Sequence, residues 1–218
     1  MTTRLLLLLL GGSLLAAEPP AQPRTVVVFG DSITEGGALP REQRDQAWVR
    51  VVESESQGRL KLVNEGKGGR PTASVPEFEA MLARQPRADL LVIALGTNDS
   101  RDITDQCAPK AVANLRQMIE RARANYGPAL SILLVGPPNI RKDALVASKP
   151  IAHEREAKLR ELGTAFAALA KELGCDFVSL FGSVPESSLT KDGVHPDAAG
   201  NAAIARTLSA RLAPVDPR

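Results

Sequence analysis

The 218-residue sequence has little of several features that mark specialised classes of protein. Aromatic residues make up only 3% of it, so its core must be built mainly from aliphatic side chains. The formal net charge of +2 is too close to neutral to indicate nucleic acid as a partner. The rest of the composition, 44% hydrophobic and 24% charged, is typical of a globular protein, and the length suits one domain.

Long hydrophobic runs are absent except at the N-terminus. A short, positively charged start at Met1–Arg4 is followed by an apolar stretch, Leu5–Ala17, that ends at Glu18-Pro19-Pro20. This order is typical of a secretory signal peptide, and the apolar stretch is too short for a comfortable membrane span. We therefore predict a leader over residues 1–20, without fixing its cleavage site, and one domain over residues 21–218. The predicted location is the periplasm or the medium, with no stable membrane span after processing.

Short apolar runs alternate with helical patterns along the rest of the chain. The near-continuous apolarity of these runs predicts strands covered on both faces, as in a parallel sheet. Helices are predicted between them, including one over 45–57 and one over 77–84. The alternation predicts a three-layer, doubly wound α/β domain with five strands. The predicted strands are Thr25–Phe29, Leu60–Val63, Leu90–Leu95, Leu130–Val135 and Asp176–Leu180.

Cysteine is scarce as well, and the two present do not suggest a disulfide. Cys175 starts a predicted strand, whereas Cys107 falls in a predicted loop beyond the end of another strand. The two residues should then lie near opposite edges of the sheet, too far apart for a bridge. We expect two free thiols. No cluster of His, Cys and carboxylates has the spacing of metal ligands, so neither a metal nor a cofactor is expected.

Four polar segments follow predicted strands, at the sheet edge where ligands of such folds bind. Because the carboxyl ends of parallel strands meet at one edge, these segments can gather there. They are Ser32 after the first strand, Gly66–Arg70 after the second, Gly96–Asp99 after the third, and Asp192–His195 before the last helix.

Only two histidines are available as a base for a serine nucleophile. His153 lies in a charged helical start and is interpreted as a solvated surface residue. His195 precedes Pro196, which disfavours helix and keeps the imidazole in a loop near the edge. Asp192, three residues earlier, can accept a hydrogen bond from Nδ1 and fix the tautomer.

These residues suit acyl transfer. Ser32 is the predicted nucleophile, His195 the base that takes its proton, and Asp192 the residue that orients the imidazole. The negative oxygen of the tetrahedral intermediate needs donors. The predicted donors are the backbone N–H groups of Ser32 and Gly69 and the side-chain amide of Asn98.

The sequence resembles the GDSL, or SGNH, hydrolases, a family of serine esterases and lipases. The resemblance covers the whole chain after the leader. It implies a flavodoxin-like sheet with strand order 2-1-3-4-5, ester hydrolysis without a metal or other cofactor, and the roles given above for the serine, glycine, asparagine, histidine and aspartate. Arg70 departs from the pattern, since relatives often carry aspartate there, and could alter the charge of the pocket. The matching blocks are Gly30-Asp31-Ser32-Ile33-Thr34, Asn64-Glu65-Gly66-Lys67-Gly68-Gly69, Gly96-Thr97-Asn98-Asp99 and Asp192-Gly193-Val194-His195-Pro196.

Other functions fit the pattern less well. The α/β-hydrolases place the serine deep in the chain within Gly-x-Ser-x-Gly, whereas Thr34 stands where their second glycine would be. A non-enzymatic flavin- or phosphate-binding module of the flavodoxin type stays open, although no complete phosphate-loop motif is present.

The expected partner is a small-molecule ester with a short acyl group. Few aromatics, many glycines near the sheet edge, no cap domain and no apolar lid favour a small, open pocket. Acetylated carbohydrates, lysophospholipids and acyl thioesters are alternatives that fold similarity does not separate. The oligomeric state is left open.

Overall fold

The computed structural model of the protein describes residues 22–146 and 151–212, so the predicted leader over residues 1–20 lies outside the described part. At its centre is a five-stranded parallel sheet in the order β2-β1-β3-β4-β5, as predicted. The strands are β1 (Arg24–Gly30), β2 (Leu60–Gly66), β3 (Leu90–Ala94), β4 (Ser131–Gly136) and β5 (Asp176–Ser179).

Helices cover both faces of the sheet, because alternate side chains of each strand point to opposite faces. The helices are α1 (Ser32–Glu35), α2 (Trp48–Glu55), α3 (Val75–Arg84), α4 (Cys107–Tyr126), α5 (Lys142–Val146), α6 (Ala152–Leu173) and α7 (Ala198–Leu212). Val27 and Phe29 of β1 pack in one apolar cluster with α3, α4 and α6. Val26 and Val28 pack in a second cluster with α2 and α7. None of the helices in the described chain combines the length and apolar character that a membrane crossing requires.

Strand β2 is longer than its apolar run indicated, since it continues through Asn64 to Gly66. The extra residues pair with the end of β1, up to Gly30 opposite Gly66. The polar Asn64 is accommodated because its amide donates to the Thr34 carbonyl at 2.9 Å and its Oδ1 accepts from the Gly66 N–H at 2.9 Å. Asn64 thereby ties β2 to the short helix α1.

Two local predictions were wrong. The helix expected over 45–57 is divided into a 3₁₀ helix, Arg41–Gln46, and α2, because Ala47 adopts an extended conformation between them. The first N–H of α2, on Trp48, donates to Oδ1 of Asn201 on α7, a cap 153 residues away in the sequence. Cys107 begins α4 instead of lying in a loop. Both Cys107 and Cys175 are free thiols, as expected.

Candidate active site

Ser32 is held at the carboxyl end of β1 by a tight connection to α1. Asp31 caps this helix, with its carboxylate accepting from the Ile33 N–H at 2.9 Å. Gly36 ends the helix in the left-handed conformation, at φ +74°, which glycine adopts without steric cost. Ser32 is therefore the first residue of a short, capped turn that follows β1, the second strand in the order of the sheet.

The predicted nucleophile, base and orienting residue form one continuous chain of hydrogen bonds. Ser32 Oγ lies 2.8 Å from His195 Nε2, and His195 Nδ1 lies 2.5 Å from Oδ2 of Asp192. An ionised carboxylate only accepts hydrogen bonds, so Nδ1 carries the proton and Nε2 is left to accept from the serine hydroxyl. The second histidine, His153, is exposed on α6 and takes no part in this chain.

The carboxylate of Asp192 is organised by several donors in its own loop. Its Oδ1 accepts from the backbone N–H groups of Val194 and His195 and from the hydroxyl of Thr190, at 2.8–3.0 Å. Partial burial disfavours the charged carboxylate, but the hydrogen bonds from His195 and Val194 outweigh burial and hold the pKa of Asp192 well below its usual range. The group therefore stays ionised at neutral pH.

The loop that carries Asp192 and His195 is fixed by backbone contacts. The Thr190 N–H donates to the His195 carbonyl at 2.8 Å, and Gly193 turns the chain at φ +70°. A Cβ at Gly193 would lie 2.6 Å from the Arg141 carbonyl oxygen, so the close approach of these segments requires glycine. The Arg141 N–H donates to the Gly193 carbonyl at 2.8 Å, and its guanidinium reaches the carbonyls of Leu189 and Thr190.

Gly69 lies in the turn after β2 and lines the same cleft as Ser32. Its φ of +75° is in the left-handed region, whereas a Cβ built there would meet no protein atom within 4 Å. Backbone conformation, and not crowding by the protein, therefore requires glycine at this position. A side chain would project into open space beside the cleft.

Asn98 follows β3 and also lines the cleft. Its amide nitrogen donates to the Arg70 carbonyl at 3.1 Å. Because an amide NH₂ has two hydrogens, this bond orients the group and leaves a second N–H for another acceptor. The adjacent Asp99 is engaged elsewhere, since its carboxylate accepts from the backbone N–H and the hydroxyl of Thr72.

Arg70, for which the sequence left open an effect on the charge of the pocket, does not line the cleft. Its side chain is 5% exposed and turns inward, with Nη1 donating to the Gly30 carbonyl at 2.7 Å and to the Glu65 carbonyl. The guanidinium lies 4.0 Å from the ring centroid of Phe29 and pairs with Glu77 at 3.2 Å. Arg70 therefore joins the ends of β1 and β2 beneath the turn that carries Gly69.

The carboxyl group of Asp31 is buried directly behind Ser32, where 3% of the residue is exposed. Burial raises its pKa to about 6, although the Ile33 N–H and the Thr97 side chain favour the ionised form. Asp31 and Thr97 also line a small pocket of about 20 Å³, a volume that suits a single water molecule.

The cleft around Ser32 is open, has a volume of about 440 Å³ and is lined by both polar and apolar surface. Sequence reasoning missed two of its charged residues, Glu35 and Arg101, whose side chains form no hydrogen bond or ion pair within residues 22–146 and 151–212. Each lies three residues after a predicted site residue, Ser32 or Asn98, and that proximity was the available signal. No three His, Cys, Asp or Glu side chains in the same ranges are grouped as metal ligands.

Comparisons with known proteins agree with this geometry. A model of the GDSL-like Lipase/Acylhydrolase family matches residues 28–203. A carbohydrate acetylesterase family member from Sinorhizobium meliloti is 27% identical with a TM-score of 0.74, over 87% of this chain and 97% of its own. A protein provisionally described as an arylesterase, from Agrobacterium tumefaciens, is 29% identical with a TM-score of 0.71, over 87% of this chain and 98% of its own. The aryl esterase of M. smegmatis shares the fold, at 23% identity and a TM-score of 0.70, over 87% of this chain and 98% of its own. The comparison with curated proteins found no match.

Proposed function

Because the chain belongs to the GDSL-like lipase/acylhydrolase family and is an ester hydrolase, we propose that it cleaves short acyl esters through an acyl-enzyme on Ser32. The observation that carries this proposal is the unbroken chain of hydrogen bonds from Ser32 through His195 to Asp192, open to the cleft at its serine end. A hydroxyl is a weak nucleophile at neutral pH, and this arrangement supplies the base that it needs.

The chemistry follows from the positions of these groups. Ser32 Oγ attacks the acyl carbonyl carbon as its proton passes to Nε2 of His195, and Asp192 stabilises the imidazolium that forms. Collapse of the tetrahedral intermediate breaks the bond to the alcohol, whose oxygen takes the proton from His195. Water then attacks the acyl-enzyme, gives a proton to His195 and releases the carboxylic acid as Ser32 regains its hydrogen.

Three donors are assigned to the negative oxygen of each tetrahedral intermediate. They are the backbone N–H groups of Ser32 and Gly69 and the free N–H of the Asn98 amide. The support is that all three residues line one cleft and that the Asn98 amide is already oriented by the Arg70 carbonyl. Donors fixed before reaction cost no reorganisation when charge develops, which is why such groups contribute strongly to catalysis.

For the substrate, we propose an acetyl or other short acyl group on a polar alcohol such as a carbohydrate. The cleft supports this choice because Glu35 and Arg101 offer a free acceptor and free donors beside Ser32. Sugar hydroxyls can satisfy both, whereas a long acyl chain placed beside these two charged groups would leave their hydrogen-bonding capacity unmet. The carbohydrate acetylesterase relative from Sinorhizobium meliloti agrees with it. Lysophospholipids and acyl thioesters remain alternatives.

A substrate panel tests this proposal. We expect kcat/KM to be highest for p-nitrophenyl acetate and to fall steadily through the butyrate and octanoate esters. Glu35→Gln should reduce kcat/KM for an acetylated xylo-oligosaccharide more than for p-nitrophenyl acetate, because only the sugar offers several hydroxyl donors to the carboxylate. A preference for octanoate would reject the short-acyl assignment, and equal losses on the two acetates would reject the carbohydrate assignment.

We also propose that the protein is exported. The support is the order of the first 20 residues, in which a positive start precedes an apolar stretch and small residues. Expression of the full chain in a bacterial host, followed by fractionation and N-terminal sequencing, tests this. Export predicts a mature form in the periplasm or medium that begins near residue 18, and an uncleaved chain in the cytoplasm would contradict it.

A further inference from the structure

A buried arginine lies beneath the turn that carries Asn98. Arg155, on α6, is 2% exposed. Its Nε donates to the hydroxyl of Ser100 at 2.9 Å, and its Nη2 donates to the Thr97 carbonyl at 3.1 Å. Thr97 and Ser100 stand on either side of Asn98, and the Ser100 hydroxyl donates in turn to the Thr97 carbonyl at 2.7 Å. One guanidinium group therefore holds both ends of this short turn.

The charge of Arg155 is not balanced by a contact carboxylate. Within residues 22–146 and 151–212, no Asp or Glu oxygen lies within 4.0 Å of its guanidinium, whereas the other buried arginine of the site, Arg70, pairs with Glu77. Burial lowers the pKa of Arg155 to about 10, which still leaves it charged at neutral pH. The like charge of Arg101 also lowers the pKa of Arg155, whereas Asp192 and Asp31 favour its charged form from a longer range.

An unpaired buried charge is costly to the folded state. Both acceptors, the Ser100 hydroxyl and the Thr97 carbonyl, are neutral, so neither of them requires a charged donor. The hydrogen bonds alone therefore do not account for a cation at this position. What a cation adds is a fixed positive potential beneath the turn that carries Asn98, the residue assigned to the negative oxygen of the proposed reaction.

We propose that Arg155 is a positioning residue for the oxyanion donor Asn98 and that its fixed charge stabilises the tetrahedral intermediate. Its two hydrogen bonds hold the Thr97–Ser100 turn so that the Asn98 amide faces Ser32. Its charge lies in the interior, where the field is screened less than it is in water. A preorganised charge of this kind favours the transition state over the uncharged ester and acts on kcat more than on KM.

This inference rests on the proposed function, so its test needs readouts that separate the two. The variants are Arg155→Gln, which removes the charge and keeps donors, and Arg155→Lys, which keeps the charge. The control is Arg160→Gln on the same helix, where the arginine is exposed, pairs with Glu156 and lies over Phe181. The readouts are kcat and KM for p-nitrophenyl acetate and the inhibition constant of phenylboronic acid, which forms a tetrahedral anion on a reactive serine.

For Arg155→Gln we expect kcat to fall by about 10- to 100-fold, less than for loss of a direct oxyanion donor, with KM changed by less than about threefold. The boronic acid should bind more weakly by a similar factor. Arg155→Lys should keep a larger part of kcat and of the affinity for the boronic acid. Arg160→Gln should change neither kcat nor that affinity. Unchanged kcat in Arg155→Gln, or reduced kcat with unchanged boronate affinity, would overturn the inference.

If the Arg155 variants fail to fold, Ser100→Ala tests the positioning role alone. This variant removes one anchor of the turn and keeps the charge, so kcat should fall severalfold with little change in KM. Unchanged kcat would overturn the positioning role. Activity that survives in Ser32→Ala would instead overturn the proposed function itself.

Discussion

The hydroxyl oxygen of Ser32 lies 2.8 Å from Nε2 of His195, although 163 residues separate them in the chain. The contact exists because β1 delivers Ser32 to the carboxyl end of the sheet while the loop before α7 returns His195 to the same end. Asp192, three residues before the histidine, completes the arrangement from within that loop. The proposed chemistry depends on these contacts, and each can be tested separately.

Of the two histidines, only His195 should matter for turnover. His195→Ala removes the proposed base, and we expect kcat to fall on the order of 10⁴-fold or more. His153→Ala is the matched control, because His153 is exposed on α6 and should leave kcat and KM unchanged. Steady-state kinetics on p-nitrophenyl acetate checks both. A large loss in His153→Ala, or a small one in His195→Ala, would mean that the base is misassigned.

Removal of the Asn98 amide should slow the chemical step specifically. For Asn98→Ala we expect kcat to fall by about 10²- to 10³-fold with a small change in KM, since the amide acts on the developing anion. Asn114→Ala is the control. Its amide donates to the Thr72 hydroxyl at 3.3 Å and does not line the cleft. A loss in Asn98→Ala that appears mainly in KM would contradict its place among the oxyanion donors.

The tight turn at Gly193 should tolerate no side chain. Gly193→Ala combines φ +70° with a contact of 2.6 Å to the Arg141 carbonyl oxygen, whereas Gly58→Ala has φ +81° with no atom within 4 Å of its Cβ. We expect urea unfolding to show a loss of about 1 kcal/mol for Gly58→Ala and roughly 3 kcal/mol for Gly193→Ala. Only Gly193→Ala should also reduce kcat, since it displaces Asp192 and His195. Equal losses of stability would show that the contact with Arg141 relaxes freely.

The buried carboxyl group of Asp31 should make stability depend on pH. Its folded pKa of about 6 lies above the ordinary value of 3.8, so the folded protein keeps a proton that the unfolded chain loses between these values. The contribution of this group to the free energy of unfolding therefore falls as pH rises from about 4 to about 6, and changes little above that window.

Asp31→Asn removes this titration and keeps an oxygen to cap α1. The free energy of unfolding of Asp31→Asn, measured relative to the wild type, should increase by up to about 3 kcal/mol between pH 4 and pH 7. Urea unfolding at several pH values in this range provides the measurement. A difference that stays constant with pH would show that the Asp31 carboxyl group does not titrate in this window.

Much of the fold and of the site geometry could be predicted because the signals are local. The apolar runs around Val26–Phe29 and Leu90–Leu95 indicate buried strands, and polar residues that follow such strands meet at one edge of a parallel sheet. That rule predicts Ser32 and Asn98 at one edge of the sheet, whereas His195 is predicted there because His153 lies in a charged helical start and Pro196 keeps His195 out of a helix. The strand order followed from the family resemblance carried by the same residues.

The remaining features depend on contacts between distant segments. The division between the 3₁₀ helix and α2, just before Trp48, is stabilised by the hydrogen bond from Trp48 to Asn201. Arg155 is buried against Ser100, 55 residues earlier in the chain. Arg70 is charged, like a surface or pocket residue, yet its side chain folds inward, where the carbonyls of Gly30 and Glu65 accept its hydrogen bonds. Local composition carries no signal for such pairings, so the roles of these two arginines emerged only from the structure.

The most direct test of the central claim is covalent labelling of the nucleophile. The full chain is treated with an organophosphonate that reacts with activated serines, and the adduct is located by peptide mass spectrometry. We expect one adduct, on Ser32, that forms in parallel with loss of esterase activity, is absent in Ser32→Ala and forms far more slowly in His195→Ala. An adduct on another serine, or full activity in the protein labelled at Ser32, would contradict the assignment of Ser32 as the group that carries the acyl intermediate.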